Sequence, residues 1–299
     1  MSATAGARLR HSLISSFRDA RERTDGMFSL ILPEAYYDRP IPERHRMIFY
    51  LGHLETFDWN LLSTRGLGLD SFHPAFDKLF AFGIDPVGGG LPSDQPKDWP
   101  PVEEVRSYNR RVRHDVDRAI EKNGLELKPA DGEEASLATL LRVAIEHRLM
   151  HAETFAYMLH QLPLLYKSAP AVPPRRASNP AVEAGMVDIP AGEVALGLDR
   201  GAGDSFGWDN EFETHRVSVP AFSIDRYSVS NGDFLKFMED GGYQNSGLWT
   251  EEGWAWVKGK GIRHPAFWVW AGHFWHQRMM FGETPLPLAW PVYVSYAEA

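Results

Sequence analysis

The chain contains no cysteine. That excludes a disulfide framework, a zinc ribbon, a thiolate nucleophile and an iron–sulfur cluster, so any metal must be held through nitrogen and oxygen. Basic residues are also scarce: 31 Lys and Arg stand against 40 Asp and Glu, for a net charge of −9. A general nucleic-acid binder rests on a basic surface that neutralises phosphates, so nucleic acid is not an expected partner. Nowhere is there an uncharged apolar run of about 18 residues. The N-terminal stretch carries Arg8, Arg10, Arg18, Asp19, Arg21, Glu22 and Arg23 where a signal peptide would be apolar. These absences predict a soluble, cytoplasmic protein with no membrane partner.

What the chain does have is a histidine pair, His147 and His151, in the run Glu146-His147-Arg148-Leu149-Met150-His151-Ala152-Glu153. Residues four apart on a helix project from one face, one turn apart, so two imidazoles at this spacing can chelate one transition ion if a third ligand arrives from elsewhere. Exposed helices also carry such pairs by chance, and a lone histidine is more often a hydrogen-bonded core or surface residue. The third ligand has a candidate in His53. It lies in an apolar-rich stretch, Arg46 to Leu62, that reads as a buried helix in which Gly52 admits close packing. Glu153 points roughly 200° around the helix from His151 and is a poor co-ligand. Glu55 and Asp58 are open between supporting a ligand N–H and a solvated or structural role. His45, His73, His114 and His160 read as surface or capping residues. Arg106, Arg110, Arg111 and Arg113 read as a solvated basic face before they read as a carboxylate site.

With 299 residues and 43% hydrophobic content, the chain can bury two ordinary cores. The clearest seam is 168–183, where Pro170, Pro173, Pro174 and Pro180 interrupt regular structure. The expected organisation is a bundle over 1–167, a Pro-rich linker over 168–183 and a second domain over 184–299. Four helices are expected before the seam, over about 5–23, 42–62, 102–123 and 133–162, the last opening after Asp131. The link 63–101 is rich in Gly and Pro, among them Gly88, Gly89 and Gly90, and reads as a crossover or active-site loop. Bundles commonly build metal sites from facing helices, which is the arrangement His53, His147 and His151 would give. Beyond the seam lie eight of the ten tryptophans. Short strands are expected over 187–196 and 217–224, with a capped helix opening at Ser230 or Asn231. An aromatic-rich stretch of this kind is more often core than ligand cage.

The first half resembles a DinB-type four-helix bundle, through Leu51-Gly52-His53 and the His147-x-x-x-His151 pair. The second half resembles the sulfatase-modifying-factor, or formylglycine-generating-enzyme, fold, an irregular, loop-rich C-type-lectin-like domain. The residues that carry it are Val187-Asp188-Ile189-Pro190-Ala191-Gly192, Phe206-Gly207-Trp208-Asp209-Asn210-Glu211, Val217 to Phe222, Asp225 to Phe234, Asp240-Gly241-Gly242-Tyr243, Gly253-Trp254, His264-Pro265 and Pro291 to Tyr296. The order of the halves is similar to that of the ergothioneine sulfoxide synthases and their ovothiol relatives. That resemblance implies an α plus mixed α/β chain and a mononuclear non-haem Fe(II) enzyme with His53, His147 and His151 as metal ligands. It implies O2, a thiol (cysteine or γ-glutamylcysteine) and hercynine or another histidine derivative as substrates, joined through a C–S bond as a sulfoxide. Two departures stand out. Met150 occupies the place before the last ligand where the resemblance implies a glutamine that contacts the histidine-derived substrate. Residues 184–299 cover only the first part of such a domain, so an incomplete, C-terminally truncated domain is expected. The catalytic tyrosine implied by the family falls on neither Tyr293 nor Tyr296. Two other readings compete: a metal-binding protein without synthase activity, and a DinB-type thiol-dependent transferase.

Overall fold

The computed structural model describes residues 3–84, 90–123, 125, 127, 135–169, 184–200 and 206–299. It divides into two compact units, Met1–Ala171 and Val172–Ala299. Most of the expected linker, residues 170–183, lies outside the described residues, as do Gly88, Gly89 and Asp131.

The first unit is helical: α1 (Ala3–Phe28), α2 (Met47–Leu62), α3 (Pro74–Phe82), α4 (Val102–Asn123) and α5 (Leu137–Gln161). Helix α2 is buried on nearly every side, as its apolar composition requires, and it packs against α3, α4 and α5, while α1 packs on α5. Helix α4 is amphipathic in the ordinary way. Val105, Tyr108, Val112, Val116 and Ile120 form its buried stripe, and its other face carries the charges. Burying Val112 or Val116 completely contributes about 1.5–3 kcal/mol each.

Four features depart from the sequence reading, the first being that α1 runs on to Phe28 rather than ending near residue 23. Helix α2 opens at Met47 rather than near Pro42, because Arg46 is held extended (φ −64°, ψ 156°) by hydrogen bonds from its guanidinium to the Tyr37 carbonyl and to Asp94. Helix α5 opens at Leu137, where the Ser136 hydroxyl accepts from the Thr139 amide and caps it. The link 63–101 is not simply a loop. It holds a wide π turn over Ser63–Leu67, closed by Gly68 at φ +60°, and then α3, whose cap is the His73 ring accepting from the Phe76 amide with Pro74 in the first turn. Asp94 anchors the rest of the link by accepting from Arg39, Arg46 and the Trp99 indole.

Gly52 is required by α3. A methyl group there would sit 2.4 Å from the Phe80 ring, which is itself fully buried and has nowhere to move. The close approach read from the sequence at Gly52 is therefore the α2–α3 contact.

The second unit has small sheets and short helices. Strands β1 (Met186–Ile189) and β4 (Phe222–Asp225) pair antiparallel, as do β2 (Gly192–Leu196) and β3 (His215–Val219). The register runs through both pairs without a slip, so they are one long hairpin interrupted where Pro190 and Pro220 supply no N–H. Each of the two strands expected from sequence is thus split in two by its proline. Helix α6 (Asn231–Glu239) is capped by the Ser230 hydroxyl and α7 (Glu251–Lys260) by the Thr250 hydroxyl. Strands β5 (Trp268–Trp270), β6 (Trp275–Arg278) and β7 (Glu283–Pro285) make a three-stranded antiparallel sheet. Phe234, Tyr243, Val257, Trp268 and Leu286 form the core, with Trp249, Trp254 and Trp275 packed against it. Trp249, Trp254, Trp268 and Trp275 serve as core, as expected, whereas Trp270 is largely exposed. Tyr243 donates to Glu298 at 2.5 Å. A helical first unit followed by a small-sheet second unit is the fold class expected from the sequence.

Candidate metal centre

His53 projects from α2, and His147 and His151 project from α5 one turn apart. Each offers one ring nitrogen, and these nitrogens lie within 4.8 Å of one another. Among the described residues this is the group of histidine and carboxylate side chains placed to hold an ion. Nε2 of His53 and Nε2 of His151 are 3.2 Å apart. Two nitrogens that share one ion at about 2.0–2.1 Å, with bonds near a right angle, sit roughly 3 Å apart, so this pair is already at ligand spacing.

The protonation state of His53 follows from its other nitrogen. Nδ1 is 2.7 Å from the Phe80 carbonyl oxygen on α3. A carbonyl only accepts, so Nδ1 carries the hydrogen and donates it, and Nε2 is left with its lone pair facing His151. Nδ1 of His147 and of His151 is buried with no hydrogen-bond partner, so the protein does not engage either nitrogen. Aromatic rings hold the imidazoles in place. Phe57 stacks on His147 with centroids 3.4 Å apart and planes within 9°, Phe49 stacks on His53, and Tyr50 lies against His151.

All three imidazoles are kept neutral. Burial is the largest cause, and it lowers the His147 pKa to about 2 and the His151 pKa to about 3. Repulsion from neighbouring histidines and from Arg148 acts in the same direction, and His53 is lowered chiefly by burial as well. An unfolded histidine protonates near pH 6.5, whereas these refuse the proton until the pH is far lower. Stability is thus fully present above about pH 6.5 and falls as pH drops below it, by up to ~1.4 kcal/mol per pH unit for each histidine. The metal-free protein is expected to lose melting temperature steadily from pH 7 to pH 5, with a shallower decline in a His147→Gln variant. Identical slopes would show that His147 takes up its proton as readily in the native state as in the unfolded one.

Behind the imidazoles, on the other side of the α2–α5 contact, is a network of buried charges that the sequence reading did not assemble. Arg148 is 1% exposed. Its guanidinium donates to Glu55 Oε1 at 3.0 Å, to Asp58 Oδ2 at 2.6 Å and to the Leu54 carbonyl at 3.1 Å. Glu55 also accepts from Arg113 of α4, whose guanidinium pairs in turn with Asp25 of α1. Arg21 of α1 lies 4.0 Å from Asp58 and pairs with Asp117 of α4 at 2.7 Å. Burial alone would raise the Glu55 pKa, but Arg148 and Arg113 overcome it and hold the carboxyl at about 2. Glu55 and Asp58 are therefore neither solvated nor bonded to a ligand N–H, and Arg113 belongs to this network rather than to a solvated face. Glu153 is exposed and stands outside the group of side chains placed to hold an ion, as its position on the helix implied. Met150, beside His151, is 48% exposed, and Tyr293 and Tyr296 are exposed as well.

The DinB superfamily model matches residues 16–155, and the Sulfatase-modifying factor enzyme 1-like domain model matches residues 171–279. Ergothioneine biosynthesis protein 1 of Neurospora crassa is 29% identical over 89% of this chain and 33% of its own length. Hercynine oxygenase of Mycobacterium tuberculosis is 35% identical over 65% of this chain and 43% of its own length. The formylglycine-generating enzyme of Bos taurus is 40% identical over 24% of the chain and 18% of its own length. The chain spans between 33% and 43% of the length of the ergothioneine-biosynthesis proteins and hercynine oxygenases it matches. Among the described residues no helix is long and apolar enough to cross a membrane. A DinB superfamily region followed by a sulfatase-modifying-factor-like region, in a chain similar to ergothioneine biosynthesis proteins and hercynine oxygenases along most of its length, is the domain order expected from the sequence.

Proposed function

We propose that this protein acts in ergothioneine biosynthesis as a non-haem Fe(II), O2-dependent sulfoxide synthase, joining the sulfur of cysteine or γ-glutamylcysteine to an imidazole carbon of hercynine. The observation that carries the reading is the convergence of three neutral imidazoles, with Nε2 of His53 and Nε2 of His151 at ligand spacing. The names of the relatives, hercynine oxygenase and ergothioneine biosynthesis protein, support the substrate and the use of oxygen.

The residues present fit a metal ion: three nitrogen donors, two of them with a buried Nδ1 that no protein group engages. His53, His147 and His151 would hold it. The same donors would accept zinc, nickel or copper, so the choice of iron rests on the relatives. Bound iron would supply open positions at which a thiolate and O2 meet beside the histidine-derived substrate, so that orientation replaces a bimolecular encounter. The chain's own residues prepare that position. Phe80 fixes the tautomer of His53, the Phe57 ring holds His147 in plane, and burial keeps all three ligands uncharged, so a thiolate meets no negative side chain among them. The reaction balances with one O2 per turnover. The thiol S–H and the imidazole C–H are replaced by the C–S bond, one oxygen goes to sulfur and the other leaves as water.

Anaerobic loading with Fe(II), followed by oxygen uptake and mass spectrometry of products, tests the reading. Uptake that requires both hercynine and one of the two thiols, with a sulfoxide product, is expected. Ion binding without such uptake would favour a metal-binding protein without synthase activity, and thiol transfer without oxygen use would favour the DinB-type transferase.

A further inference from the structure

The buried charges beside the histidines invite a second question, since a packed apolar contact would hold α2 against α5 at least as stably as an ion network does. We propose that Arg148, forked between Glu55 and Asp58, is a positioning residue that sets the rotation of α5 against α2 and so the spacing of the three imidazoles. This rests on the reading of His53, His147 and His151 as metal ligands.

Arg148 directly follows His147, so the two side chains leave α5 about 100° apart. Glu55 and Asp58 are three residues apart, and both leave α2 on the side away from His53. The α2–α5 contact therefore has imidazoles on one side and ions on the other, and a rotation of either helix displaces both. The guanidinium resists that rotation at three points of α2: the Glu55 carboxylate, the Asp58 carboxylate and the Leu54 carbonyl next to His53. A planar fork with fixed donor directions specifies an angle, which a methyl or a point charge does not. The acceptors are themselves braced. Arg113 ties Glu55 to Asp25, and Arg21 reaches Asp58 while paired with Asp117, so α1 and α4 both hold the carboxylates that Arg148 grips.

The test uses the full chain and Co(II), which reports both affinity and coordination through its visible absorption. Three variants are compared with the parent. Arg148→Lys keeps the charge and loses the fork. The triple variant Glu55→Leu, Asp58→Leu, Arg148→Met removes the central ions together while Arg113 keeps Asp25 and Arg21 keeps Asp117, so no charge is orphaned. Val116→Ala makes a cavity in α4, which carries no ligand, and controls for loss of stability alone. The parent is expected to bind one Co(II). Arg148→Lys and the triple variant, still helical and melting cooperatively, are expected to bind it at least about tenfold more weakly and with an altered spectrum, the usual scale for removing support from a metal ligand. Val116→Ala is expected to bind within about twofold of the parent. Unchanged affinity and spectrum in either folded Arg148 variant would overturn the proposal, as would an equal loss in Val116→Ala. A parent chain that binds no Co(II) would instead sink the three-histidine reading itself.

Discussion

His151→Ala is expected to weaken ion binding by well over a hundredfold and to abolish any oxygen-dependent turnover. The expected size follows from comparison with smaller lesions. Loss of a group that merely supports a ligand typically costs 10–100-fold, and here one of the three imidazoles proposed as ligands is itself removed. His151 is also the imidazole whose Nε2 faces Nε2 of His53 at 3.2 Å, so its removal dissolves the pair already at ligand spacing. Equilibrium dialysis against Fe(II) or Co(II), on the parent and the variant, reads the effect directly. The fold should survive, because His151 is a partly exposed residue in a long helix and alanine is a good helix former. Wild-type affinity in a folded His151→Ala protein would remove this histidine from the site.

The second large effect is on stability. Arg148→Ala, made alone, leaves two fully buried carboxylates, Glu55 and Asp58, facing an empty volume with their central partner gone. Breaking a buried ion pair by removing one partner costs about 3–5 kcal/mol, and here the cost falls mainly on Asp58, left with Arg21 at 4.0 Å while Glu55 keeps Arg113. That is a large part of the net stability of a domain. Urea unfolding of the parent and the variant should show the midpoint falling accordingly. A loss below about 1 kcal/mol would mean that water reaches the carboxylates and that the network is not the closed cluster its burial describes.

Much of this was legible in the sequence. The long helices were readable because their apolar residues recur at helical spacing and because prolines and capping residues mark their ends. The histidine cluster was readable because His147 and His151 share one face whatever the tertiary structure does, while the apolar stretch around Gly52 placed His53 on a helix turned toward the core. What was missed depends on contacts distant in sequence. Nothing local to residues 74–82 separates a short helix from a loop when glycines and prolines surround it; the helix exists because Phe80 fits the gap left by Gly52. Arg148 sat in plain view beside His147, yet its meaning lies in Glu55 and Asp58, about ninety residues earlier. The pair at 55 and 58 was itself a signal, since two acids three apart in a helix with almost no exposed side need a buried cation. The start of α2 was misplaced for a similar reason: Arg46 is drawn out of the helix by Asp94.

The hydrogen bond from His53 to Phe80 ends on a peptide oxygen. Every residue type has that oxygen, so no side-chain replacement at position 80 deletes the acceptor, although many would dislodge the segment that carries it. The tautomer of this histidine is thus inherited from the path of the main chain. A mutational scan would register position 80 as a packing site, and only a backbone amide-to-ester exchange at the Phe80–Ala81 linkage, which weakens that carbonyl as an acceptor, would expose its part in setting which nitrogen of His53 carries the proton.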